Sequence, residues 1–537
     1  MDLVFLGGNV LTMDGLDRRA EAVAVEGGKI RAVGPSAELA KMVGPETRVV
    51  HMAGRTLIPG FSDAHNHFNL TVFDPISVDC RVPPHESIKG ILESIAAAAS
   101  DTLRGHWIWG SGFDGSLVRE NRNLTRRDLD EAAPDNPVCI VDMSVHSCYA
   151  NSLALRLAGI DKDTPDPHCG QILKGSDGEP TGELWENALN SVHSQCFEGH
   201  LDHYGDQAAD FVYRNCMRHL ACGITSVGDA LVMPRASAMY RMADEQGKLP
   251  IALRQQLGGQ QFFAPPSQAA KGEISSEDVS DRLRCGTLKM FMDPVFPSSA
   301  QIKCHPDGRE EQVGARYYTQ EESDQLVLAA HQRGMQVAIH CLGTWSIQQA
   351  LDSFERASRE HPRQEARFRI EHFTLPTPPQ LERAKSLGVI ASVQPIFIYT
   401  WADKQQEKAS ELGRDWGIEA YKSMISQGLV VAAGSDNPCA PLEPLLGIYA
   451  AVTRRCRRTG EPVAPEEAVT PLEALRMYTI NSARALLRDG ETGSIEVGKR
   501  ADLALLSHDP TTGNPDFIRD IQVEQTYVDG QLLYQHH

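Results

Sequence analysis

The sequence predicts an α/β protein built on a (β/α)8, TIM-like barrel, with a small β-sandwich made from both chain ends and a domain inserted after the first barrel strand. Three observations predict it. Apolar strand-like runs recur through the middle of the chain, most of them followed by a stretch of helical periodicity, as the repeats of a parallel sheet require. Short alternating segments around Gly-Gly turns stand at the start of the chain and return at its end. The 537 residues are too many for one small core and suit a barrel with accessory domains.

The elements follow in order. Within residues 1–56, "DLVFLGGNVLTM" and "RAEAVAVEGGKIRAVGP" alternate apolar and polar residues and read as antiparallel strands of the sandwich. Residues 57–69, the end of "TLIPGFSD" with the "AHNHF" that follows, are expected to form the first barrel strand and its exit. About 150 residues then pass before "GITSVGDAL", far more than a βα connection needs. That gap, residues 70–220, is expected to be an inserted domain on the catalytic face, with strands in "HWIWGSGF" and "NPVCIVDM". The barrel resumes over 221–485 with "GITSVGDAL", "IALRQQLGG", "TLKMFMD", "QVAIHCLG", "FRIEHF", "VIASVQP" and "VVAAGSD". Residues 486–537, containing "GSIEVGKRADLALLSHDP" and "VEQTYVDGQLLYQ", complete the sandwich.

Hydrophobic residues make up 41% and charged residues 23%, an ordinary globular balance. A formal net charge of -19 opposes nucleic acid and anionic membranes as partners, because both would repel the chain. Twelve scattered cysteines without paired spacing read as reduced, buried thiols of a cytoplasmic protein. The opening "MDLVFLGGNVLTMDG" carries an acid in place of a basic leader, and no stretch approaches the ~20 apolar residues of a membrane span. A small molecule is the expected partner; a homodimer is left open.

Chemistry in such a barrel lies at the carboxyl ends of the strands. There "SDAHNHF" sets His65 and His67 two residues apart, on one face if the run is extended. Lys289 lies on the barrel-facing side of "TLKMFMD" with Thr287 and Phe291, opposite Leu288, Met290 and Met292. A buried, unpaired ammonium is costly, so Lys289 should lose its proton or be neutralised. "QVAIH" ends in His340, "FRIEH" in His372 and "VVAAGSD" in Asp436. Taken singly, each has an ordinary structural explanation: a snorkelling lysine, a hydrogen-bonded core histidine, an aspartate capping a helix. Six metal-capable residues arriving in this order at strand ends are hard to attribute to coincidence.

The ordered set "PGFSDAHNH", "LKMFMD", "VAIHCLG", "RIEHF", "SVQP", "AAGSDNP" and "GSIEVGKRADLALL" resembles the metal-dependent amidohydrolase superfamily, in particular the family 3 branch that includes N-substituted formamide deformylases. In the insert, "TRRDLDEAAPDNPV", "HSCYANSLAL" and "GEPTGELWE" are similar to that branch too. The resemblance implies a divalent metal centre of one or two ions, zinc first among the candidates. It makes His65, His67, His340 and His372 ligands and Asp436 both ligand and proton shuttle. Lys289 falls where the family places a lysine that can be carboxylated to bridge two metals, which would turn an unwelcome buried cation into an anion between two cations. Two departures concern loops over the site: Asp293 is followed by Pro294 where the family commonly has Asp-Gly-Ser, and Gly343-Thr344 stands where it commonly has Gly-Asp.

The resemblance implies hydrolysis of a non-peptide carbon–nitrogen bond, of amide or N-substituted formamide type, by water activated at the metal. An esterase, lactonase or decarboxylase on the same centre is an alternative, since activated water does not choose its substrate. A non-catalytic metal-binding scaffold is another, and its mark would be lost ligands. In the insert, His146 is the first choice for a carbonyl or other substrate contact if this domain roofs the site. Trp107, Trp109 and Trp185 are expected to pack, or to form an aromatic wall for an apolar N-substituent.

Overall fold

The computed structural model describes residues 1–295, 298–413 and 417–536. Eight strands form one parallel sheet in sequence order: β1 (Phe61–Asn66), β2 (Ile224–Val232), β3 (Ala252–Leu257), β4 (Leu283–Phe291), β5 (Gln336–Cys341), β6 (Arg369–His372), β7 (Ile390–Val393) and β8 (Val430–Ala433). Most are buried along their whole length, as strands covered on both faces must be. The turn after β8 closes the ring on β1. There the Asp436 amide donates to the His65 carbonyl at 2.8 Å, and the Ser435 amide to the Asp63 carboxylate at 3.0 Å.

The run "TLIPGFSD" is not one strand. Thr56–Pro59 pairs with Asn9–Leu11 and Leu503–Leu506 in the sheet of the chain ends, and only from Phe61 does the chain join the barrel. Gly60 is the crossing point: a Cβ there would lie 2.4 Å from the Thr225 hydroxyl. A continuous apolar run conceals this change of sheet because both sheets bury it.

The chain ends supply a four-stranded and a six-stranded sheet. Phe5, Val23, Val25 and Ile30 from one interlock with Val10, Leu57, Leu503, Leu505 and Tyr527 from the other in one apolar core. Between β1 and β2 lies a mixed six-stranded sheet whose strands run from Val78–Asp79 to Pro180–Glu186. Helix Ile88–Asp101 covers one face of it, burying Ile88, Ile91 and Ile95 at i, i+3 and i+7, and Ser87 caps its start by accepting the Gly90 amide. Helix Ala208–Ala221, placed with the insert on sequence alone, packs instead on the barrel wall beside Pro234–Glu245 and under the C-terminal strands. The Thr526 hydroxyl donates to its Leu220 carbonyl at 2.7 Å.

Among the described residues no helix is long and apolar enough to cross a membrane.

Candidate metal centre

The strand ends bring the six residues together. His65 ends β1 inside the barrel, and His67 follows where the chain turns into a short helix, its ring centroid 5.5 Å from that of His65. In β5, Gln336, Ala338 and His340 alternate inward while Val337, Ile339 and Cys341 join the outer core. His372 breaks this rule. Alternation would send it outward after Arg369 and Glu371, but φ values of 70° at His372 and 50° at Phe373 turn the chain, and its ring lies 4.4 Å from His340 and 5.0 Å from His65. Asp436 also sits in the left-handed region, at φ 55°. Such strain at non-glycine residues is held only where the surroundings over-determine it, and it gathers at functional sites.

Asp436 Oδ1 lies 3.3 Å from Nε2 of His65 and 3.1 Å from Nε2 of His67. The ligand atoms of these three residues fall within 4.8 Å of one another. The far side of each of two rings is fixed. His65 donates from Nδ1 to Glu371, and His372 donates from Nδ1 to Gln394 Oε1 at 2.6 Å, which leaves both Nε2 atoms for the centre. Glu371 is itself held in a fork by Arg369, at 2.7 and 2.9 Å. Asp63 staples the two closing strands, accepting from the His65 and Ser435 amides, the Asn66 side chain and the Ser435 hydroxyl.

Burial pushes the His372 imidazole down to about 3 and depresses His67 and His340 as well, so these rings are neutral. Burial would also depress His65, but the Asp436 and Glu371 carboxylates outweigh it. Burial would raise Asp436, yet the His65 and His67 rings hold it well below the usual carboxylate range. The Lys289 ammonium, fully enclosed, is pushed down to about 8. Its Nζ lies 4.7 Å from the centre of the Phe291 ring and has no hydrogen-bond partner among the described residues. His340 Nε2 and Asp436 Oδ1 are likewise buried without one. Neutral imidazole nitrogens, a carboxylate and a readily deprotonated amine, converging with their lone pairs unused, fit a divalent cation.

His146 comes over the centre from the insert, its ring 5.7 Å from His340 and 5.1 Å from Phe263. The tryptophans do not form its wall. Trp109 packs against Phe73, His193 and Phe197 inside the insert, Trp107 is packed partly buried against the same core, and the Trp185 indole donates to Glu183. The rings near the centre are Phe262, 5.9 Å from His67; Phe291, 4.8 Å from His340; and Phe397, stacked on His372 at 6.0 Å.

Residues 48–534 match the model of the amidohydrolase family. The chain belongs to that family. Amidohydrolases hydrolyse carbon–nitrogen bonds, and this amidohydrolase is 38% identical to an N-substituted formamide deformylase of Arthrobacter pascens over 536 residues, 99% of this chain and 98% of that one. Among solved structures it is similar to an uncharacterized metal-dependent hydrolase of Pyrococcus horikoshii, with a TM-score of 0.75 and 23% identity over 96% of this chain and 99% of the other. It also resembles an atrazine chlorohydrolase of Arthrobacter aurescens complexed with zinc, with a TM-score of 0.56 and 16% identity over 99% and 95% of the two chains. The barrel with its added domains is common ground.

Sequence reasoning passed over Glu371, Gln394 and Asp63 as partners of the amidohydrolase centre. The signal for Glu371 was present in "RIEHF", where a buried strand carries Arg369 and Glu371 two apart on one face and so pairs them. Gln394 had no such signal, since a single glutamine after an apolar strand points to nothing in particular.

Proposed function

We propose that this amidohydrolase cleaves the carbon–nitrogen bond of a small amide or N-substituted formamide at a divalent metal centre held by His65, His67, Lys289, His340, His372 and Asp436. The observation that carries the reading is the placement of Asp436 Oδ1 3.3 and 3.1 Å from Nε2 of His65 and His67, with His340 Nε2 and Lys289 Nζ buried and without hydrogen-bond partners among the described residues. Zinc is the proposed ion, supported by an all-nitrogen-and-oxygen donor set and by the zinc reported with the chlorohydrolase of like fold. When bound, a divalent ion supplies Lewis acidity, polarising a carbonyl and lowering the pKa of water towards ~7.

The chain's own residues do the rest. Asp436 accepts one proton from the attacking water and returns it to the departing nitrogen, so that a C–O bond forms, the C–N bond breaks, and a carboxylic acid and an amine leave. His146 contacts the substrate from the insert side of the centre. Phe262, Phe263 and Phe291 give the mouth an apolar lining that suits an apolar N-substituent better than a charged one.

The test is a measurement of bound metal by mass spectrometry on purified protein, followed by a screen of N-substituted formamides, carbamoyl compounds and lactones. Formate and amine release from the formamides in proportion to metal content is expected. Turnover of lactones alone, or equal turnover after the metal is stripped, would overturn the reading.

A further inference from the structure

Glu186, at the end of the insert strand Pro180–Glu186, has four contacts that the mechanism above does not use. Its amide donates to the His146 carbonyl at 2.8 Å. Its Oε2 accepts from His146 Nδ1 at 2.8 Å and from the Tyr317 hydroxyl at 2.7 Å, and its Oε1 accepts the Val295 amide at 3.0 Å. Val295 and Tyr317 lie in the long connection between β4 and β5, ahead of its helix Gln320–Gln332. The residue is 5% exposed, and its backbone stands at φ 50°, ψ -127°, a conformation that a non-glycine residue keeps only where its surroundings hold it. An ionised carboxylate accepts only, so the His146 proton it receives is on Nδ1. Nε2 has no hydrogen-bond partner among the described residues, while the ring stands 5.7 Å from that of His340.

We propose that Glu186 is the positioning residue for His146: it fixes the ring with Nδ1 protonated and Nε2 turned to the substrate, and it makes that setting depend on the β4–β5 connection being docked. Insert and barrel then complete the site together, through one carboxylate. The inference rests on the proposed hydrolysis for its kinetic arm only.

Two measurements test it. In the metal-loaded enzyme with an N-alkyl formamide as substrate, Glu186→Gln should lower kcat at least ~10-fold with metal content unchanged, within the ~10–100-fold that loss of an orienting partner costs. Introduced into His146→Ala, the same change should cost less than ~2-fold more, because the two residues act as one unit. Tyr317→Phe, which removes one donor and leaves the carboxylate, should cost a smaller factor and vanish in the same background. Losses that multiply would mean that Glu186 only braces the fold, and would overturn the proposal. Independently of activity, 15N spectra of histidine-labelled protein, at a pH where the ring is neutral and with His146 assigned by its absence from His146→Ala, should show the proton on Nδ1. A proton on Nε2 overturns the proposal even if every variant folds poorly. If the wild type hydrolyses no carbon–nitrogen substrate, the functional reading fails while this spectrum still decides the clamp.

Discussion

Asp436 has two roles to separate, holding an ion and moving a proton. Asparagine keeps the shape and one coordinating oxygen but cannot take a proton from water, so Asp436→Asn should retain most of the metal and lose at least ~100-fold in kcat, with KM little changed. Near-normal turnover in a metal-replete variant would move the proton transfer elsewhere, with His146 the first candidate. Lys289 offers a second residue-scale test, in the metal-free protein. Its amine falls from 10.5 to about 8 because burial opposes the charge. Between those values the unfolded chain binds the proton more than the folded one, so the penalty is full below about 8 and is relieved as pH rises towards 10.5. The stability difference between wild type and Lys289→Met, followed by urea titration, should therefore shift in favour of wild type by up to roughly 3 kcal/mol across that window. A difference that is flat with pH would show that the ammonium is paired or hydrated. With two ions bound the same side chain should be carboxylated, which a crystal structure of the loaded enzyme would reveal.

At the scale of elements, the centre depends on how closely β8 returns to β1. Gly434 makes that approach: a Cβ there would lie 2.5 Å from the His65 amide nitrogen and 2.8 Å from its Cβ. Gly434→Ala must push the strands apart just where His65 and Asp436 face each other. We expect metal affinity to weaken at least ~10-fold while far-UV circular dichroism stays that of the barrel, since the other strand pairs are untouched. Metal binding as tight as wild type would mean the junction is compliant. The same junction marks what the sequence could tell. All eight barrel runs were legible because parallel strands buried on both faces are written as apolar segments, and the residues closing them stand out as polar interruptions. The strand change at Gly60 was not legible, because Thr56–Pro59 and Phe61 read as one apolar run, "TLIPGF", and both strands are buried. Nor was the inward turn of His372, which comes from a positive φ that no residue type in "RIEHF" announces. Glu186 lay in a segment noted only for its resemblance, and its role depends on Val295 and Tyr317, more than 100 residues away in sequence. Contacts of that range leave no local pattern.

For the molecule as a whole, the question is how far loss of the metal would be felt. The proposed ligands come from β1, β4, β5, β6 and the turn after β8, so an ion at the centre would tie five parts of the ring together. Without it, Lys289 Nζ and His340 Nε2 are enclosed with no hydrogen-bond partner among the described residues, a condition that costs about 1–3 kcal/mol for each such group. An ion that binds the folded chain and not the unfolded one adds about 2.7 kcal/mol when its free concentration is a hundredfold above Kd. The outer domains are bound into the same unit. Asp529 of the C-terminal strands meets Arg282 at the foot of β4 and Arg500 at 2.5 Å, and Thr526 holds the barrel helix Ala208–Ala221. Chelation should therefore lower one shared melting transition by a few degrees, by the same amount in far-UV circular dichroism, which reports the whole chain, and in the fluorescence of a variant with Trp345, Trp401 and Trp416 replaced by phenylalanine, in which Trp107, Trp109 and Trp185 report the insert. Returning zinc should restore it. If the fluorescence transition stays in place while the dichroism transition falls, insert and barrel melt apart, and the Glu186 clamp is too weak to couple them. If neither moves although metal analysis records its loss, the cavity is stable without an ion, and the partnerless groups are satisfied by water.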